Sequence, residues 1–134
     1  MIVWIASYPK SGNTWLRSFL SNYFSGNSEF NFDQLDNIKR FPRKELYDQL
    51  KVNFNKFSEI VKNWINMQEF VNLKQEFTYL KTHNAMCTVN NHPFTNKENT
   101  AGFIYLVRDP RDVILSYSKH LNYDLNKLTK INKM

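Results

Sequence analysis

A lysine among small polar residues, held between an apolar run and an amphipathic stripe, is where this chain most directly suggests chemistry. Tyr8-Pro9-Lys10-Ser11-Gly12-Asn13-Thr14-Trp15 follows Ile2-Val3-Trp4-Ile5-Ala6, which reads as a strand. It precedes Leu16, Phe19, Leu20, Tyr23 and Phe24, which recur at helical spacing. A strand turning into a helix through such a loop aims unpaired N–H groups and the positive end of the helix dipole at one point. That point favours a phosphate or sulfate group. Lys10 adds a full positive charge, and Ser11, Asn13 and Thr14 add side-chain donors. The alternative is an ordinary strand–turn–helix with a solvated lysine. The order is not that of a Walker A loop, because Lys10 precedes the only nearby glycine and no magnesium-holding hydroxyl follows in register.

A second cluster follows Phe103-Ile104-Tyr105-Leu106-Val107, an apolar run that reads as a buried parallel strand. Next comes Arg108-Asp109-Pro110-Arg111-Asp112-Val113-Ile114-Leu115-Ser116-Tyr117. Asp109 suits an N-cap and Pro110 a first helical position, so a helix is expected to start there. Arg108 then stands at the carboxyl end of a strand, where open α/β sheets hold ligands. Ser116 lies two turns into that helix and joins the same place if the helix runs along it. An arginine and a hydroxyl converging suit a phosphate dianion. The alternative is an exposed arginine paired with Asp112. Between these clusters, Thr78-Tyr79-Leu80-Lys81-Thr82 reads as another short strand, ending in His83. Three strand ends would bring Lys10, His83 and Arg108 to one sheet edge. His92 and His120 have no such setting and read as surface residues.

Taken in this order, the three segments resemble the PAPS-dependent sulfotransferases, which use 3′-phosphoadenosine-5′-phosphosulfate (PAPS) as sulfuryl donor. Tyr8 through Trp15 is similar to the family's 5′-phosphosulfate loop, usually Y-P-K-S-G-T-T-W. Arg108 through Ser116 resembles its 3′-phosphate motif, and Lys81-Thr82-His83 its K-T-H segment, whose histidine is the catalytic base. The resemblance covers roughly Ile2 to His120. It implies an α/β fold, a three-layer parallel sheet with a P-loop-like phosphosulfate-binding loop. The later glycine-rich motif of the family has no counterpart, so residues 1–134 are expected to be the N-terminal part of one sulfotransferase domain, truncated at its C-terminal end.

The resemblance also implies roles. His83 takes the acceptor's proton, while Lys10 balances charge at the bridging oxygen. Ser11, Gly12, Asn13 and Thr14 hold the 5′-phosphate, and Arg108 and Ser116 the 3′-phosphate. Lys81 beside the sulfuryl oxygens and Trp15 near the adenine are further carry-overs. Asn13 stands where the family commonly has threonine; it keeps a donor and loses a hydroxyl. The acceptor is expected to be a hydroxyl or amine on a small molecule or glycan, with no metal involved. Glu76 is the carboxylate alternative to His83 as base. Two other classes stay open: a kinase-like phosphoryl transferase, and a non-catalytic donor-binding remnant completed by self-association or a second chain.

The remaining sequence must position these groups. The chain has 134 residues, a formal net charge of +6 and one cysteine, so one domain without internal disulfides or a cysteine-based zinc cluster is expected. Its charge favours anionic partners, but the basic residues are scattered, which argues against nucleic acid. No signal peptide or membrane span is expected, and a cytoplasmic location follows. Ser25 to Phe41 and Ala85 to Gly102 read as loops. Arg43 to Glu76 reads as helical, with Leu46, Leu50, Phe57, Ile60, Val61, Trp64 and Ile65 at helical spacing and its aromatics Phe57 and Trp64 read as core rather than as an acceptor box.

Overall fold

The computed structural model describes residues 1–26, 31–73 and 76–122. Its strands are β1 (Ile2–Ser7), β2 (Lys39–Arg40), β3 (Thr78–Thr82), β4 (Thr88–Val89), β5 (His92–Pro93) and β6 (Thr100–Leu106). Its helices are α1 (Asn13–Ser25), α2 (Lys44–Gln49), α3 (Phe57–Lys62), α4 (Trp64–Asn72) and α5 (Pro110–Leu121). β2, β3, β1 and β6 form one sheet in that order, every pair parallel. The fold is therefore α/β with a parallel sheet, since parallel neighbours require the crossovers that the helical segments supply. β4 and β5 make a separate antiparallel hairpin.

β1 is central, its two edges paired with β3 and β6 and its faces packed against helices on either side, and its sequence is apolar without polar alternation. Ile2 and Trp4, with Leu80 of β3, face the main core of Phe41, Leu46, Tyr47, Val61, Trp64, Met67 and Phe94. Trp4 meets Phe41 edge-on at 5.4 Å and lies 5.1 Å from Phe94. Strand alternation sends Tyr79 and Lys81 to the opposite face from Leu80. There Phe24 of α1 packs on Tyr79 at 4.9 Å. Helices thus meet both faces of the sheet.

One polar chain is buried within this core. Gln68 of α4 donates from Nε2 to the Phe94 carbonyl at 2.6 Å and accepts from the Thr95 hydroxyl. Thr95 Oγ1 is 2.7 Å from Thr100 Oγ1, which accepts from Trp4 Nε1 at 2.9 Å. Each side chain in the chain is matched, which is what makes a fully buried glutamine tolerable.

Several expectations are corrected. The Phe103–Val107 run is not a buried strand: β6 lies at the sheet edge, and Phe103, Ile104 and Tyr105 are 44%, 37% and 68% exposed. The stripe on α1 is helical but mostly faces outward, with Phe19, Tyr23 and Phe24 exposed. Asn13 and Ser21 are the buried positions of that helix. Ser25 to Phe41 is not merely loop, because a 3-10 helix (Phe32–Asn37) and β2 lie in it. Ala85 to Gly102 contains the β4–β5 hairpin and the start of β6. Among the described residues the Arg43–Glu76 region divides into three short helices, and Phe57 is exposed rather than core while Trp64 is buried as expected.

Candidate active site

The carboxyl ends of β1, β3 and β6 open onto one cavity of about 670 Å³. Pro9, Lys10, Gly12, Asn13, Thr14 and Trp15 border it from the loop after β1 and the first turn of α1. Lys81 and His83 border it from β3, Arg108 from beyond β6, and Ser116, Tyr117, His120 and Leu121 from α5. The structure therefore brings together every residue given a site role from sequence except Ser11 and the alternative base Glu76. Ser11 is buried within the loop, and its N–H donates to the Tyr8 carbonyl at 3.3 Å, so that group is not free to face a ligand.

The loop conformation is set by two residues with positive φ. Lys10 has φ 69° and Gly12 φ 98°. Gly12 occupies the N-cap position, where glycine accepts the left-handed backbone without a Cβ penalty. Lys10 carries the same conformation with a side chain, and Arg108 Nη1 donates to its carbonyl at 3.2 Å. No side chain caps α1, which leaves the N–H groups of its first turn, from Asn13 to Trp15, unpaired and directed past the N-terminus.

Asn13 departs from its expected role. Its Nδ2 donates to the Ile5 carbonyl at 3.2 Å and to Ser7 Oγ at 3.2 Å, and the residue is buried. The side chain thus ties α1 back to β1 rather than presenting a donor to the cavity, while Asn13 Oδ1 has no partner among the described residues.

His83 follows directly on β3, one step beyond the Ala6–Thr82 pair, which places it beside Ser7. Its Nδ1 lies 2.7 Å from the Ser7 carbonyl oxygen and 3.3 Å from Ser7 Oγ. Desolvation lowers the His83 pKa; the bond to Ser7 opposes this, and the charges of Lys81 and Arg40 add to the lowering. Lys81 is itself lowered, by desolvation and then by Arg17 and Arg40. Arg17 holds the carbonyls of Ile38 and Leu35 with its guanidinium, at 3.0 and 2.7 Å, rather than a carboxylate. The cavity is thus lined by Lys10, Lys81 and Arg108 with no carboxylate among its bordering residues.

Arg108 makes the Asp112 contact expected as its alternative, and one contact that the sequence did not suggest. Its Nε is 3.6 Å from Asp112, the exposed pair expected as the alternative, and its Nη1 holds the loop. Asp109 caps α5 as expected, accepting from the Arg111 N–H at 2.9 Å, with Pro110 next. Glu76 lies at the opposite end of β3 from His83: its carbonyl accepts from the Met1 amino group before β3 begins, and it borders a different cavity. A five-residue strand separates it from His83, about 17 Å of chain, which removes it as an alternative base. His120 is exposed as expected but borders the cavity. Its spacing of four from Ser116 on one helix was the available signal. Among the described residues, no helix is long and apolar enough to cross a membrane, and no group of three or more His, Cys, Asp or Glu could hold a metal ion.

Luciferin sulfotransferase of Photinus pyralis is 33% identical over 127 residues, covering 87% of this chain. The chain spans 32% of the length of that relative. Residues 2–133 match the family model of the sulfotransferase domain, and the chain belongs to that family.

Proposed function

We propose that the cavity binds PAPS and that the protein transfers its sulfuryl group to a hydroxyl or amine of a small molecule or glycan. The observation that carries this is electrostatic: three cations and an uncapped helix N-terminus face one cavity bordered by no carboxylate. Such a concentration of positive groups attracts a polyanion, even with Arg108 also 3.6 Å from Asp112 outside the cavity lining. The residues fit that donor. The first-turn N–H groups and Lys10 suit its 5′-phosphosulfate end, and Arg108 with Ser116 suits its 3′-phosphate.

In the reaction the acceptor oxygen forms a bond to sulfur, the bond from sulfur to the phosphate oxygen breaks, and adenosine 3′,5′-bisphosphate leaves. His83 accepts the acceptor's proton, and its lowered pKa keeps it unprotonated near neutral pH. Lys10 balances charge on the departing phosphate, with Lys81 beside the sulfuryl oxygens and Trp15 near the adenine. We place the protein in the cytoplasm on the same family reading. His83→Ala should lower turnover roughly 10²–10⁴-fold with bisphosphate affinity nearly unchanged. Unaltered turnover would remove His83 from the mechanism.

A second reading is favoured by one feature. Trp15, Phe19 and Tyr23 form an exposed stacked row on α1, and Tyr105 and Val107 are 68% and 79% exposed at β6 and just beyond it. So much uncovered aromatic and aliphatic surface suits a donor-binding part of a larger domain, covered by further polypeptide. In that reading residues 1–134 bind the bisphosphate and turnover requires the covering chain.

A further inference from the structure

The strongest unexplained arrangement is the hydrogen-bonded path that runs from the first turn of α1, through the end of β1, to the ring of His83. A carbonyl oxygen can only accept, so the 2.7 Å contact to the Ser7 carbonyl requires the proton on Nδ1. Nε2 is then the nitrogen with the free lone pair. The same logic fixes the Asn13 amide: the atom 3.2 Å from the Ile5 carbonyl must be the donor Nδ2, which also reaches Ser7 Oγ. Asn13 therefore pins the Ile5–Ser7 segment, and with it the carbonyl that selects the tautomer. Ser7 and Asn13 are each 4% exposed, so water does not compete for the bonds between them, while the His83 ring that they approach is exposed.

We propose that Ser7 and Asn13 are positioning residues that hold His83 as the Nδ1–H tautomer, so that Nε2 is the basic nitrogen. This rests on the reading of His83 as general base. It reassigns Asn13: within the loop expected to hold the donor, its side chain serves the base instead. The gain is orientation, because a histidine whose proton is shared between two nitrogens presents the correct lone pair only part of the time.

The test is long-range proton–nitrogen correlation on the chain labelled with nitrogen-15 histidine, at a pH well above the histidine range. His83→Gln assigns the signal among the three histidines. The wild-type His83 should be a single Nδ1–H tautomer, and Asn13→Ala should yield a mixture. With the active protein, Asn13→Ala should lower kcat roughly 10–100-fold, the scale for losing the partner that orients a histidine, and bisphosphate affinity far less. Asn13→Thr, which retains one donor, should restore most of both readouts. If Asn13→Ala fails to fold, Ser7→Ala, which removes Oγ and leaves the carbonyl, should give a smaller shift in the same direction.

A wild-type Nε2–H tautomer overturns the proposal, as does a variant whose tautomer ratio and kcat match the wild type. The two readings fail separately. An Nδ1–H ring in a protein that transfers no sulfuryl group sinks the reaction and leaves the hydrogen-bond assignment. Transfer by a protein with Nε2–H His83 does the reverse.

Discussion

Replacing Arg108 with alanine separates a phosphate contact from a purely structural one, because the arginine does two things in the structure. It donates to the Lys10 carbonyl at 3.2 Å, and its Nε sits 3.6 Å from Asp112. The first contact shapes the loop whatever is bound, so its loss costs every ligand about 0.5–1.5 kcal/mol. The Asp112 pair is exposed and spaced i,i+4, worth only about 0.3–0.5 kcal/mol. A charge-assisted bond to a 3′-phosphate is worth about 1.5–3 kcal/mol more, and only a ligand with that phosphate loses it. Calorimetric titration should therefore show adenosine 5′-phosphate weakened at most about tenfold by Arg108→Ala. Adenosine 3′,5′-bisphosphate should lose a further ~10–160-fold. Asp112→Asn should act oppositely, tightening the bisphosphate about twofold by removing the competing carboxylate. Equal losses for the two nucleotides would refute the assignment of Arg108 to the 3′-phosphate.

Arg40→Gln removes one charge that lowers the His83 pKa, so that pKa should rise. A base works unprotonated, so the acidic limb of the pH profile of kcat/KM should move to higher pH; a limb moving to lower pH would refute the electrostatic account. Gln68→Leu leaves the Phe94 carbonyl without its donor and the Thr95 hydroxyl without its acceptor. Denaturant unfolding should show a loss of roughly 1–3 kcal/mol for each orphaned group, and an unchanged midpoint would discount the network. If the exposed apolar surface belongs under further polypeptide, residues 1–134 alone should self-associate and show little thermal shift with the bisphosphate. A monomer with a sharp melt and a clear ligand-induced shift would sink that reading.

What was legible in the sequence was local chemistry with a local cause. The Lys10 loop, the Asp109–Pro110 helix start and the β1, β3 and β6 segments follow from strand composition, capping and backbone restrictions within a few residues. The convergence of Lys10, His83 and Arg108 was legible because parallel strands deliver their carboxyl ends to one side. β2 and the β4–β5 hairpin were not, since two-residue strands owe their form to a partner rather than to their own sequence. The stripe on α1 predicted a helix but not which side the sheet would cover. Asn13 was misread for the opposite reason: a donor's direction depends on burial, and only the fold shows that it points to Ile5 and Ser7. Glu76 was misplaced because sequence proximity to His83 hides a whole strand between them.

The central place of β1 also dictates an order of assembly. Its registers join Ile2 to Thr78 on one side and to Thr100 on the other, so neither neighbour is at hand while the intervening chain is being made. During synthesis Ile2, Trp4 and Ile5, all fully buried in the finished protein, wait as an unpaired adhesive strand. Closing such long loops precedes the contacts that reward it, which slows folding and favours a chaperone that shields early strands. The Lys10 loop takes its final support from Arg108, on the far side of β6. The nascent chain therefore cannot complete this loop until nearly all the structure around it has formed.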